Sequence, residues 1–384
     1  MVYMKEIALW NCDNEASTME EIFSLEIEPK THFLYRIINE LKKEKAKSIV
    51  IWGSYANGKK CRNYMKKNYG ITIDSCVVNE KYMNIPVNQI QPDDDFPFVS
   101  VEKWFSEHED TDVIVDFSFF NRKMVHLYKD KIRRLFVGDI MGVFVFDEPY
   151  IINSYDIKAH RDDFCNAYEA FDDDQSRKEY IDFILQKIYG FYNKTHHKEQ
   201  YFDEELVRMN ENEVYVDIGA YNGDSIRVFI EHAKNCYKKI YAFEMDANNY
   251  NKLKKNSSNI RDCICINKGI GGRRESLKAN IEGNTTSHIS DKGPCEVEVD
   301  TIDNLIDEKI TFIKMDIEGF ELQALNGAKQ AIENYKPKLA VCAYHKIEDL
   351  WMIPEYLKKA ACGKYRIYFR NYHNSSSESV LYAL

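Results

Sequence analysis

The chain has 384 residues, of which 44% are hydrophobic, 30% charged and 13% aromatic. That length supports two or three domains with buried cores, and the composition excludes a disordered chain or a disulfide mini-scaffold. Its 52 Lys and Arg stand against 62 Asp and Glu, a formal charge of -10, which repels phosphate backbones and anionic lipid and argues against nucleic acid as a partner.

No run reaches the roughly 18 apolar residues of a membrane span, and the first residues lack the basic start and apolar core of a secretory signal. The expected location is therefore the cytoplasm. The ten cysteines show no Cys-x-x-Cys spacing and read as reduced thiols, mostly in cores. Cys263 and Cys265 alternate, so they share one face of a strand. Sequons at Asn193 and Asn284 are then incidental.

In chain order, HFLYRIINELKKEKAK carries apolar residues at helical spacing and a cationic end, which predicts an amphipathic helix before Lys47. SIVIWG, GSYANGKKCRNYMKKNYG and ITIDSCVVN then read as strand, glycine turn with helix, and strand. DTDVIVDFSF and RRLFVGDI continue the alternation. Residues 1–150 are thus expected to form a smaller N-terminal Rossmann-like α/β domain with an open parallel sheet. Strand signals disappear over 151–200, where apolar residues at 180, 181, 184, 185 and 188 make a helix stripe; this stretch reads as a helical connector.

Residues 201–384 form the third region. NEVYVDIGAYNGDS, KIYAFEMD, CICINKGIG, ITFIKMDIEG, KLAVCAYH, YRIYFR and SVLYAL supply seven strand candidates, most of the early ones separated by helical segments. The pattern predicts a doubly wound parallel sheet. NYHNSSSES is too short for a crossover helix, so the last two strands should pair as an antiparallel hairpin.

In VYVDIGAYNGDS, Gly219 and Gly223 permit a tight turn where backbone approaches a ligand, and Asp217, Asp224 and Ser225 offer polar contacts at the strand end and the next helix N-terminus. Such turns also occur with no ligand. Glu244 lies just past the next strand, where the ribose of an adenosine bound at that turn would sit. The glycine pattern is Asp-x-Gly-x-x-x-Gly rather than Gly-x-Gly-x-x-Gly, which offers fewer amides to a pyrophosphate and suits a ligand without phosphates. Strand ends on one edge of an open sheet converge, so Asp217, Glu244, Asn267 and Asp316 should cluster. In the first domain, GSYANGKK fits Gly-x-x-x-x-Gly-Lys but has Lys60 where a phosphate loop needs Ser or Thr for magnesium, so an ATPase reading fails.

VDIGAYNGDS, AFEMD, NKGIGG, VEVDTIDNL and above all FIKMDIEGFELQALNGA resemble FkbM-type S-adenosylmethionine-dependent methyltransferases, with Met245 departing from a proline common after the acid. The resemblance covers residues 201–345, and FDDDQSRKEY and YFDEEL look like segments of larger bacterial members. It implies a class I methyltransferase Rossmann-like fold for the C-terminal sheet and S-adenosylmethionine as cofactor. Asp217, Gly219, Ala220, Tyr221, Gly223, Asp224 and Ser225 would then frame the cofactor, Glu244 hold its ribose with Met245 also at the cofactor, Asn267 approach the adenine, and Asp316 face the sulfonium. It also implies O-methylation of a bacterial surface-glycan sugar or its nucleotide-linked precursor.

A hydroxyl acceptor must lose a proton, and the candidate bases are Asp316, Glu318 and His345, the last because free imidazole titrates near neutral pH. Glu321 reads as a helix-start acid. Asp316 with Glu318 could instead bind a divalent cation, although the expectation is a metal-free site. Gly53–Gly58 resembles the nucleotide-sugar turn of sugar-modifying enzymes, a structural or dimerising sheet being the other reading. The partner is expected to be a small molecule or glycan, with self-association left open. Tyr250-x-x-x-Lys254 would serve a nicotinamide-dependent oxidoreductase or epimerase, and a non-catalytic scaffold is the third reading. The acids retained at several strand ends argue against the scaffold.

Overall fold

The computed structural model describes residues 16–25, 27, 32–80, 95–116, 119–144, 148–190, 199–281, 283, 285, 287–373 and 376–384. The chain forms two compact units, one of residues 1–161, 180–195 and 373–377, the other of 162–179, 196–372 and 378–384. Residues 151–200, expected as a connector, divide between them. No helix of the described residues is long and apolar enough to cross a membrane.

In the first unit, β1 (Ser48–Trp52), β2 (Ser75–Val78), β3 (Phe98–Ser100), β4 (Thr111–Asp116) and β5 (Ile132–Gly138) form a sheet of order β3-β2-β1-β4-β5. Every pairing is parallel, as expected, and β3 is a strand that the sequence patterns did not suggest. The amphipathic helix is Phe33–Lys43, capped by His32 and buried along Phe33, Leu34, Ile37, Ile38 and Leu41. The stripe at Tyr180, Ile181, Ile184, Leu185 and Ile188 is buried. The turn after β1 is shorter than expected: a helix starts at Tyr55, so Gly58 belongs to its first turns rather than to a ligand loop. A Cβ there would touch Cys76 and Ile51 at 3.4 Å, and its smallness serves helix-on-sheet packing. Most of the segment expected after β2, and both sequons, lie outside the described residues.

The second unit carries the seven expected strands: β6 (Val214–Ile218), β7 (Lys239–Phe243), β8 (Cys263–Ile266), then, after an insertion, β13 (Phe312–Met315), β14 (Lys338–Cys342), β15 (Ile367–Asn371) and β16 (Ser379–Ala383). Their order is β15-β16-β14-β13-β6-β7-β8. Only β16 runs antiparallel, pairing with β14 and β15, as the short turn required. β6, β13 and β14 are buried along their whole length or nearly so, the signature of parallel strands covered on both faces. Stacking of Tyr215 on Phe229, with centroids 4.3 Å apart, pins helix Asp224–His232 to β6. Edge strand β15 is covered by the FDDDQ stretch: Asp172 accepts from the Ile367 amide at 2.7 Å and Asp173 pairs with Arg370 at 2.6 Å, which closes an otherwise open ladder.

The insertion was not anticipated as a sheet. β9 (Gly269–Ile270), β10 (Glu275–Asn280), β11 (His288–Ile289) and β12 (Cys295–Asp300) form a four-stranded sheet of order β11-β10-β12-β9 over a small core of Ala279, Val297 and Val299. A second correction concerns the cysteines. None of the nine described is in a disulfide, but only Cys61, Cys76 and Cys342 are buried; a thiol is tolerated on a surface as readily as in a core.

Candidate active site

The order of the larger sheet reverses between β6 and β13, since β7 and β8 extend to one side and β14 to the other. Ligands of open α/β sheets bind outside the strand carboxyl ends at such a point. A cavity of about 620 Å³ opens there, lined by Gly219, Tyr221, Glu244, Asp316, Glu318 and Glu378 among others. Gly219 follows β6 with φ +79°, and a Cβ on it would stand 1.9 Å from the Asp316 carbonyl oxygen, so only glycine permits the two strand ends to meet. The Gly219 and Ala220 amides donate to the Phe243 carbonyl, each at 3.0 Å, which fixes the loop against β7.

Of the residues expected to hold a ligand, Gly219, Tyr221, Asp224, Ser225, Glu244, Met245 and Asp316 line the cavity. Glu244 accepts from the Tyr221 amide at 2.9 Å through Oε2 and from the Asp246 amide at 2.8 Å through Oε1. Burial raises its pKa to about 7 against the pull of these amides. Asp246, the second acid of that motif, is structural: it accepts from the Asn248 and Gly283 amides and the Ser287 hydroxyl.

Several expectations are corrected by position. Asp217 does not face the cavity; it is 0% exposed, accepts from Ser225 Oγ at 2.5 Å and lies 3.1 Å from Lys314 Nζ. The two residues are register partners on β6 and β13. Lys314 also donates to the Gly219 carbonyl at 2.7 Å, so the buried ion pair braces the ligand loop from below. Burial raises the Asp217 pKa, with Lys314 opposing; Lys314 itself is raised despite burial because Asp217 and Asp316 flank it. Asn267 is exposed and donates to the Glu244 and Met245 carbonyls at 2.8 and 3.1 Å, holding the loop rather than lining the cavity. Ala220 is buried, and Gly223, at φ +86°, turns the chain into helix Asp224–His232. Neither Tyr250 nor Lys254 is among the lining residues, so the dyad of an oxidoreductase is absent from this site.

On the β13 side, Tyr201 Oη donates to Asp316 Oδ2 at 2.7 Å, and Tyr344 Oη lies 3.5 Å from both Asp316 Oδ1 and Glu378 Oε1. Burial would raise the Asp316 pKa, but Lys314, His345 and Tyr201 outweigh it and hold the carboxyl below its usual range. Gln200 Nε2 donates to Glu378 Oε2 at 2.7 Å, and burial together with the Asp316 charge lifts Glu378 to about 7. His345 is 0% exposed and does not line the cavity. Although burial disfavours its charge, the carboxylates of Glu321, Glu318 and Asp316 raise its pKa to about 10. The imidazole therefore holds its proton at neutral pH, which removes the reason for expecting it as the base.

Sequence reasoning missed Tyr201, Gln200, Lys314, Tyr344 and Glu378. Lys314 left a signal, a lone cation in the apolar run ITFIKMD. Tyr201 and Glu378 left none, because they reach the cavity from segments outside the strand-and-loop repeat.

Residues 217–371 match the model of the methyltransferase FkbM domain. The fold is similar to the crystal structure of methyltransferase FkbM from Methylobacillus flagellatus KT, with a TM-score of 0.68 and 21% identity over 95% of this chain and 99% of that one. An rRNA methylase from Streptococcus thermophilus gives a TM-score of 0.32 and 15% identity over 46% and 87% of the two chains. Aeropyrum pernix fibrillarin, solved with S-adenosyl-L-methionine, gives 0.31 and 9% over 47% and 70%. No curated protein matches the sequence.

Proposed function

We propose that this chain, whose residues 217–371 match the model of the methyltransferase FkbM domain, is an S-adenosylmethionine-dependent O-methyltransferase of the cytoplasm acting on a bacterial surface-glycan sugar or its nucleotide-linked precursor. One observation carries the reading: Glu244 and Asp316, 72 residues apart in the chain, line one cavity across the switch point, with the Gly219 backbone between them. The parallel sheet closed by the antiparallel hairpin of β15 and β16 supports a class I methyltransferase fold. The residues present fit the cofactor. Gly219 leaves the loop without a side chain, Glu244 offers a carboxylate for paired hydroxyls, and the acids Asp224, Glu244 and Asp316 suit a cationic ligand.

When bound, S-adenosylmethionine supplies an activated methyl group. Tyr221 and Met245 would flank the nucleoside, and Asp316, fixed by Tyr201, would face the charged end. An acceptor hydroxyl beside Asp316 would meet Tyr344, Glu318 and Glu378, groups that orient a polyol by hydrogen bonding. Glu378 is the carboxylate whose pKa suits removal of the hydroxyl proton near neutrality. The glycan assignment follows from the kinds of protein the resemblance implies, and it takes support from this polar wall.

Calorimetric titration with S-adenosylmethionine, S-adenosylhomocysteine and NAD tests the cofactor: the first two should bind and the third should not. A missing methyl in the surface glycans of cells lacking the gene, read by mass spectrometry, tests the acceptor. Binding of NAD alone would overturn both.

A further inference from the structure

Behind Asp316 lie two side chains, Glu321 and His345, that the proposed methyl transfer does not use. Asp316, Glu321 and His345 each present a ligand atom, and these atoms lie within 4.8 Å of one another. Glu321 and His345 are 0% exposed. Glu321 Oε1 accepts from the Ile317 amide at 3.0 Å, but Oε2 has no hydrogen-bond partner, and neither has His345 Nε2. Nε2 points between two carboxylates, 3.6 Å from Asp316 Oδ1 and 3.7 Å from Glu318 Oε2, beyond hydrogen-bond range. Nδ1 stands 3.0 Å from Glu321 Oε1, a hydrogen-bond distance without the angle. Buried polar atoms are nearly always satisfied, and one left without a partner calls for an explanation.

The charge balance points the same way. The carboxylates of Asp316, Glu318 and Glu321 stand around one imidazole with Asp349 beyond them, while Lys314 is shared with Asp217 and Lys346 donates to the Gly319 carbonyl. Glu318 is a non-glycine residue held at φ +56°, followed by Gly319 at φ +89°. Left-handed backbone of this kind is costly and concentrates at functional sites.

From the orphaned buried atoms of Glu321 and His345 and the grouping of one ligand atom from each of the three residues within 4.8 Å, we infer that Asp316, Glu321 and His345 form a divalent-cation site, with Glu318 as a further ligand from the cavity side. One imidazole nitrogen among carboxylate oxygens suits a first-row ion such as Mn²⁺ better than Mg²⁺ or Ca²⁺. An entering ion displaces the imidazole proton, as metal binding to histidine does generally. Asp316 and Glu318 line the cavity, so the ion sits where an acceptor hydroxyl could join its coordination shell and lose its proton more easily. That catalytic use rests on the proposed methyl transfer; the binding of the ion does not.

Mn²⁺ titrated into the full-length protein tests the site, with bound ion read from loss of the free Mn²⁺ electron paramagnetic signal. One ion per chain should bind at micromolar concentration, with nitrogen modulation in the pulsed spectrum that His345→Gln abolishes. Glu318→Gln, at a side chain only partly buried, should fold normally and bind about tenfold more weakly or worse. Folded wild-type protein that leaves millimolar Mn²⁺ free would overturn the site. So would binding that lacks nitrogen modulation and is unchanged in Glu318→Gln. S-adenosylmethionine titrated into the same sample separates the two readings: cofactor binding without Mn²⁺ binding removes the metal site and leaves the methyltransferase reading in place.

Discussion

Gly219 and Asp316 meet backbone to backbone at the switch point, the space for a Cβ on Gly219 being filled by the Asp316 carbonyl oxygen 1.9 Å away. Gly219→Ala must therefore part β6 from β13 or twist the ligand loop, and it adds the cost of a positive φ. A loss of about 2 kcal/mol or more is expected in denaturant unfolding, with cofactor affinity falling below detection by calorimetry.

Glu244 makes cofactor binding depend on pH. Burial raises its carboxyl from 4.5 to about 7, whereas the ribose hydroxyls are best accepted by the ionised form. Affinity should thus be about tenfold weaker at about pH 6 than at pH 8, with protons released on binding. Calorimetry in buffers of different ionisation heat measures both, and Glu244→Gln should flatten the profile. The free protein shows the opposite trend. Because the folded state binds this proton more tightly, the contribution of Glu244 to stability is full below about pH 4.5 and is lost as pH rises through about 7.

Lys314→Met should be among the most destabilising single changes in the second unit. It strands the fully buried Asp217, a situation that costs about 3–5 kcal/mol in other proteins. The double change Asp217→Asn with Lys314→Met should recover much of that loss. Equal unfolding midpoints for the single and double variants would show that the pair is not coupled.

These cases show what the sequence makes legible. Gly219, Glu244 and Asp316 could be found because each ends a strand whose apolar run is continuous in the chain, and the hairpin of β15 and β16 follows from one short turn. Asp217 belongs to the same motif but sits one step inside the strand, where the pleat turns its side chain to the sheet face that Lys314 shares; that partnership exists only in the parallel register. His345 lies three residues past the end of β14, yet its proton is governed by carboxylates that come together only on folding. The inserted sheet was readable in part, since EVEVD alternates with period two, but a short strand with an exposed face resembles a loop until its neighbours are known.

Glu378→Gln should lower kcat by about 10²-fold or more while leaving cofactor affinity near normal, the pattern of a lost proton acceptor. Tyr201→Phe should act more mildly. Removing a hydrogen bond to a charged group costs about 1.5–3 kcal/mol, visible as reduced stability and an Asp316 carboxyl that protonates more easily. Unaltered turnover in Glu378→Gln would return the role to Asp316 or Glu318.

One wall of the cavity, with Ser287, Ile289 and Val299, belongs to the four-stranded insertion between β8 and β13, whereas Gly219, Glu244 and Asp316 belong to the main sheet. The cavity is thereby built from two pieces of chain, and the groups proposed to meet an acceptor, Tyr344, Glu318 and Glu378, lie outside the insertion. Grafting a different hairpin onto β10 and β12 would therefore reshape one wall of the cavity while Gly219, Glu244 and Asp316 keep their places at the ends of the main-sheet strands.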